Sequence, residues 1–430
     1  MKSLKKLICL LTSVSLLVLC MSGLMGCSED RESVLRLFVP GEYLSPDVYE
    51  EFEEWYFEQT GKPITVIETT FDTPEAVLYK IEKSKQDFDL ACPSDYMIEY
   101  MVKNGLAKKI DKSLVDIEGI PEGDDEPLIK QTYLDVTEVF DPTLEYTVPY
   151  MYGTFGIMYD YSKTDEHFDS WEYMYFEDNP TLGEKYKNKI TQKESVREMY
   201  AATSIYAVRK ELSDLSNGFS EYTQAYKERI QKIYEDTSDE NIAEVKRLLQ
   251  NQKKYLLKYE VDDGKFGIAG GTLRAVAGLY WSCDAGYVMG MGGEGSYEDA
   301  NGDEISGNKN LWYAIPKEGG NVYIDGFVIP KYAGNETAAN LFLQFICTQD
   351  AAIANSEWAG AISPVSSAYN ALYEEYSEND GFFDGTEEGW KEMYLDMLFP
   401  SDETLLRCGV MKKFENNNSK INRMFADIVG

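Results

Sequence analysis

Val34-Leu35-Arg36-Leu37-Phe38-Val39 opens a stretch, residues 34 to 105, in which short apolar runs alternate with helical segments. The run is short and mostly apolar, as a buried strand is, and Ser45-Pro46 after it reads as the N-cap and first position of a helix that Thr60-Gly61 ends. Ile64-Thr65-Val66-Ile67 reads as a second strand and Thr73-Pro74-Glu75 as the start of a second helix. Phe88-Asp89-Leu90-Ala91-Cys92 is a third strand, stopped by Pro93, and a further helix runs to Asn104-Gly105. Strand and helix in alternation require parallel strands joined by right-handed crossovers, hence an open α/β sheet with its ligand-facing loops at the strand C-termini. Those loops hold Pro40-Gly41-Glu42-Tyr43 and Pro93-Ser94-Asp95-Tyr96.

Beyond this stretch, two extended segments read as crossings between lobes. Tyr146-Thr147-Val148-Pro149-Tyr150 precedes a strand at Gly153–Tyr159, and Asn321-Val322-Tyr323-Ile324-Asp325-Gly326-Phe327-Val328-Ile329-Pro330 precedes a helix carrying Ala338, Leu341, Phe342 and Phe345 at helical spacing. Residues 196–258 are helix-rich, with Ile242, Val245, Leu249 and Leu256 as a core-packing stripe, and Val276–Trp281 returns to strand character. Two crossings make two lobes with a hinge, each lobe an open, mostly parallel sheet flanked by helices. The expected division is 28–147 plus about 326–365 for the first lobe, and about 148–325 plus about 366–430 for the second. The polar segment Tyr297–Asn310 reads as a loop; its Asp299-Ala300-Asn301-Gly302-Asp303-Glu304 lacks the glycine and glutamate spacing of a calcium loop.

Residues 1–27 read as an address. Lys2, Lys5 and Lys6 precede an uncharged run to Met25, and Leu24-Met25-Gly26-Cys27 closes it before Ser28-Glu29-Asp30, the layout of a secretory signal. The ending resembles the lipobox of bacterial lipoproteins, which implies that Cys27 is acylated and tethers the mature chain to the membrane outside the cytoplasm. An uncleaved membrane anchor is the other reading. Of the remaining cysteines, Cys92, Cys283, Cys347 and Cys408, the apolar neighbours favour buried thiols; three pairings are open, and no Cys-x-x-Cys occurs.

Of the 430 residues, 75 are Asp or Glu and 41 are Lys or Arg, a net charge of -34 that repels phosphate backbones and concentrates cations. Nucleic acid is therefore an unsuitable partner. With His167 the single histidine, His-dependent triads and multi-His metal sites are excluded. No nucleophile elbow, phosphate-binding loop or dinucleotide fingerprint occurs, so neither an enzyme nor a cofactor is indicated. What recurs is an aromatic near an acid at strand ends: Glu42-Tyr43, Asp95-Tyr96, Trp281 with Asp284, and Tyr323 with Asp325. That combination suits an organic cation, whose ammonium bonds to carboxylates while its methylenes lie on aromatic faces.

Taken with Gly41-Glu42-Tyr43, Phe88–Tyr96, Gly105–Asp111, Val148–Thr154, Trp171, Pro316-Lys317-Glu318-Gly319-Gly320 and Asp325 before Ile329-Pro330, the chain from 34 to 430 resembles the bacterial extracellular spermidine/putrescine-binding proteins of ABC transporters. The resemblance implies a two-lobed, type II periplasmic-binding-protein fold that closes on a polyamine and presents it, as a monomer, to a membrane permease with its ATPase. It places Tyr43, Ser94 and Tyr96 on one wall, Glu198 at a terminal amine, Trp281 as an aromatic platform with Asp284 beside it, and Asp325 as the central acid with Tyr323 near it. The chain departs from that pattern at Pro40, Ser195, Ala361 and Met411, which leaves the length of the polyamine open. The alternatives are a receptor for another organic cation, a polyamine-sensing module and a secreted carboxylate hydrolase.

Overall fold

The computed structural model describes residues 30–430 except 72, 262–263, 291–296, 299–303, 306 and 415–416; the leader, Cys27 and most of the calcium-loop-like segment lie outside the described residues. β1 (Val34–Pro40) leads to α1 (Pro46–Thr60), which ends where Gly61 takes a left-handed φ of 69° that favours glycine. β2 (Thr65–Phe71) follows, then a short helix at Pro74–Leu78 that widens into a π turn at Tyr79–Lys83, where the sequence predicts an ordinary helix. β3 (Leu90–Ala91) and α2 (Asp95–Lys103) complete the predicted order. β1 pairs parallel with both β2 and β3.

β4 (Thr147–Asp160) is a single buried strand of 14 residues in place of the two shorter ones read from the sequence. After it come β5 (Ile190–Lys193), α3 (Val196–Ala207), α4 (Asp239–Gln252), β6 (Leu256–Glu260), β7 (Ala277–Trp281) and α5 (Ser282–Met289). Ile242, Val245 and Leu249 are buried on α4 as expected; Leu256 belongs to β6, because the helix ends at Gln252. β8 (Leu311–Ala314), β9 (Gly320–Pro330), α6 (Glu336–Ile346) and, at the C-terminus, α7 (Asn418–Val429) close the set used below.

These strands form one mixed sheet in the order β2-β1-β3-β9-β4-β7-β5-β6, with β8 also beside β4, and the segment read as a loop holds a separate two-stranded antiparallel pair, Tyr297–Glu298 with Glu304–Ile305. The two ends are parallel groups, β2-β1-β3 and β7-β5-β6, and the antiparallel pair β4–β9 joins them. That pair contains the two extended segments, Tyr146–Tyr150 and Asn321–Pro330, singled out in the sequence. Its register shifts at Asp325/Gly326, where β4 carries one extra residue, Tyr150, next to Pro149, which has no N–H to give to a regular ladder. Tyr323 pairs with Gly153, and a Cβ on Gly153 would come within 2.6 Å of the tyrosine ring, so the glycine makes the bed on which Tyr323 lies.

Two quoted motifs prove to be structural anchors. Asp89 is fully buried and accepts from the Arg31 guanidinium (2.6 Å), from the backbone N–H of Arg36 (2.8 Å), and from those of Gly334 (3.0 Å) and Asn335 (2.7 Å). One carboxylate thus ties the start of β1 to the turn after β9. Glu318, buried, accepts from Ser170 Oγ and the Trp171 N–H, while the Trp171 indole donates to the Gly319 carbonyl at 2.8 Å. Cys92, Cys283, Cys347 and Cys408 are unpaired thiols. Asp89→Ala leaves the buried backbone N–H groups of Arg36, Gly334 and Asn335 without their side-chain acceptor, while Arg31 keeps Asp87; a loss of about 3 kcal/mol is expected in urea unfolding.

Candidate functional site

A cavity of about 670 Å³ lies where the C-terminal ends of β1, β3, β5 and β7 meet the crossing strand β9. Its walls carry Tyr43, Ser94, Tyr96, Glu198, Trp281, Tyr323 and Asp325, seven of the eight expected ligand-binding residues. Fold logic brings them together: Tyr43 follows β1, Ser94 and Tyr96 follow β3, Glu198 follows β5, Trp281 ends β7, and Tyr323 and Asp325 ride on β9. Pro40, Ser195 and Met411, three of the four departures from the resembled pattern, also line it; Ala361 does not.

Asp325 organises the centre. Oδ2 accepts the Tyr43 hydroxyl at 2.7 Å, and Oδ1 is a buried oxygen with no hydrogen-bond partner. Burial raises the pKa of this carboxyl, and the neighbouring Ser94 and Tyr43 hydroxyls oppose the shift. Ser94 also bridges to Asp325 through the backbone, which fixes one wall to β9. Tyr43 is held in turn by the Tyr150 hydroxyl, which donates to the Tyr43 carbonyl at 2.7 Å. Tyr323 stands edge-on to Trp281, ring centres 4.9 Å apart, and donates its hydroxyl to Cys283 Sγ at 3.3 Å.

Helix starts face the cavity, and each carries an acid in its first turn: Asp95 on α2, Glu198 on α3 and Asp284 on α5. The partial positive charge of a helix N-terminus favours anions, so these acids reverse the local sign. Asp95, which the sequence shows only as a neighbour of Tyr96, is 1% exposed; Oδ1 accepts from the Tyr96 N–H and Oδ2 has no partner. Burial pushes its pKa up to about 8, with nearby Asp325 adding to the rise.

Asp284 is the expected residue that the structure does not bring to the wall. Its Oδ1 accepts from Lys265 at 2.6 Å and its Oδ2 from Lys193 at 3.5 Å. Burial would raise its pKa, but the two ammonium groups bring it below the ordinary carboxylate value. Two cations on the wall were not anticipated from the sequence. Lys193 ends β5 with its ammonium 5.6 Å from the Trp281 ring centre. Arg197 lays its guanidinium 3.7 Å over Tyr96 and donates to Glu75 at 3.3 Å, reaching from α3 to elements on the opposite side of the cavity. Lys412 makes a parallel reach, donating to Glu99 and to the Val139 carbonyl, each at 2.9 Å.

Over residues 48–383 the sequence matches the family described as bacterial extracellular solute-binding protein. The chain belongs to that family. Among relatives of this solute-binding protein, the putrescine-binding periplasmic protein SpuD of Pseudomonas aeruginosa is 24% identical over 341 residues, 77% of this chain and 79% of that one. The spermidine/putrescine-binding periplasmic protein of Salmonella typhimurium is 26% identical over 364 residues, 84% of this chain and 86% of that one. The crystal structure of the spermidine/putrescine ABC transporter substrate-binding protein PotD from Streptococcus pneumoniae superposes with a TM-score of 0.64 at 24% identity, covering 92% of this chain and 98% of its own. The fold of the solute-binding protein is thus the two-lobed α/β architecture of type II periplasmic binding proteins.

Asp95 supplies a pH signature. Its carboxyl holds its proton up to about pH 8 in the fold but releases it near 3.8 when unfolded, so its contribution to stability is full below about pH 4 and is lost as pH rises through about 8. Melting temperatures of the wild type and of Asp95→Asn across that range check this: the decline with rising pH should be shallower in the variant.

Proposed function

We propose that this solute-binding protein captures a polyamine of the spermidine/putrescine class between its lobes and hands it to an ABC transporter permease coupled to an ATPase, without catalysing a reaction. The observation that carries the reading is Asp325: a buried carboxylate, one oxygen oriented by Tyr43 and the other without a partner, in a cavity walled by Tyr43, Tyr96, Trp281 and Tyr323. A buried acid lacking an acceptor's complement is costly unless a ligand supplies it, and an ammonium group does so through a charge-assisted bond. Glu198 on the far wall offers a second anionic station, while the aromatic faces shield the methylenes. The names of the two relatives point to the same ligand class.

In this reading the lobes comprise 28–147 plus about 326–365 and about 148–325 plus about 366–430, and the crossing pair β4–β9 is the hinge. The protein acts as a monomer, held at the outer face of the membrane by a lipid on Cys27.

Thermal unfolding of residues 28–430 with putrescine, spermidine, choline and a sugar panel tests the ligand class. Ligand at 100 times its dissociation constant adds ~2.7 kcal/mol, a rise of several degrees confined to the polyamines. Asp325→Asn should weaken binding by about 3 kcal/mol in isothermal titration. Wild-type affinity in that variant would overturn the assignment.

A further inference from the structure

The cavity already contains two ammonium-like groups of its own, and their positions restrict what can enter. Lys193, on the wall, holds its ammonium over Trp281 and on Asp284, the aromatic face and the carboxylate that an incoming ammonium would otherwise use together. Arg197 covers the face of Tyr96 in the same manner. Tyr43 and Tyr323, beside Asp325, carry no cation over their rings among the described residues. The acidic stations on the wall are then Asp325, with the Asp95 carboxyl beside it and one unpartnered oxygen on each, and Glu198 on α3. That makes two stations, separated from the Trp281 end by a lysine.

We infer that Lys193 sets the length of the bound amine, filling the Trp281–Asp284 subsite from within the protein so that the site takes a short α,ω-diamine and rejects a triamine. The inference rests on the polyamine reading and deepens it. The physical reason is like-charge repulsion in a poorly solvated cleft: a third ammonium some 6 Å from the lysine ammonium would lose about a hundredfold in affinity at an effective dielectric constant near 20. Lys193 is only 9% exposed on its side chain and lies within 3.5 Å of Asp284, so it is not readily swung aside into water. Lys265 holds Asp284 from the other side at 2.6 Å, so removing Lys193 leaves that carboxylate partnered and opens the Trp281 face.

The test is isothermal titration of putrescine and spermidine into the wild type, Lys193→Met, Lys193→Gln and Lys193→Arg, with circular dichroism confirming that each variant folds. The wild type should prefer putrescine. The ratio of spermidine to putrescine dissociation constants should fall by about tenfold or more in Lys193→Met and Lys193→Gln, and stay high in Lys193→Arg. A wild type that binds spermidine at least as tightly as putrescine overturns the length limit and leaves the polyamine reading intact. A preference for putrescine that is unchanged in the Met and Gln variants overturns the role of Lys193. Binding of neither amine removes the polyamine reading, and the length limit with it.

Discussion

A carboxylate on β9, the strand that borders the first parallel group and pairs with β4, is the constraint around which the cavity is arranged. Asp325 lies where the β4–β9 register shifts, bonded to Tyr43 after β1 and bridged to Ser94 after β3. Along β9 side chains alternate between the two faces of the sheet, so Tyr323 and Asp325, two residues apart, face the same cavity. The residue without a counterpart is Tyr150 on β4, beside Pro149, so the irregularity falls on the partner strand and leaves the acid in its place.

Around that acid the wall is built from strand ends and helix starts, which explains why much of it was legible from local patterns. Glu42-Tyr43 and Ser94-Asp95-Tyr96 follow runs that read as strands, and the parallel alternation alone places them on one edge of the sheet. The crossing strands were visible as extended segments with proline, although Pro149 suggested a break that the bulge instead absorbs. The partnering of Asp284 was not legible. It depends on β5 lying beside β7, with Thr191 opposite Gly278, which brings Lys193 to Trp281 across about ninety residues of chain. Arg197 is similar: next to Glu198 in sequence, it turns to Tyr96 and Glu75, contacts that only the tertiary arrangement creates.

The resemblance motifs divide in the same way. Ser94, Tyr96 and Asp325 belong to the cavity, whereas Asp89 and the Trp171–Glu318 pair belong to the frame, satisfying buried backbone groups far along the chain from themselves. A buried acid that accepts from several N–H groups and a buried acid with an oxygen left over look alike in sequence. Only the census of their partners separates a structural anion from a receptor for a cation.

The acids in the first turns of α2, α3 and α5 have one further consequence. Because a helix start is itself an anion-attracting surface, the acidic character of this cleft is a layer of side chains over a backbone of the opposite inclination. Replacing those acids by neutral residues would uncover that inclination without touching the helices that carry it. The scaffold is in this sense ambivalent about charge: the sign of the cleft is set by its side chains and not by its backbone.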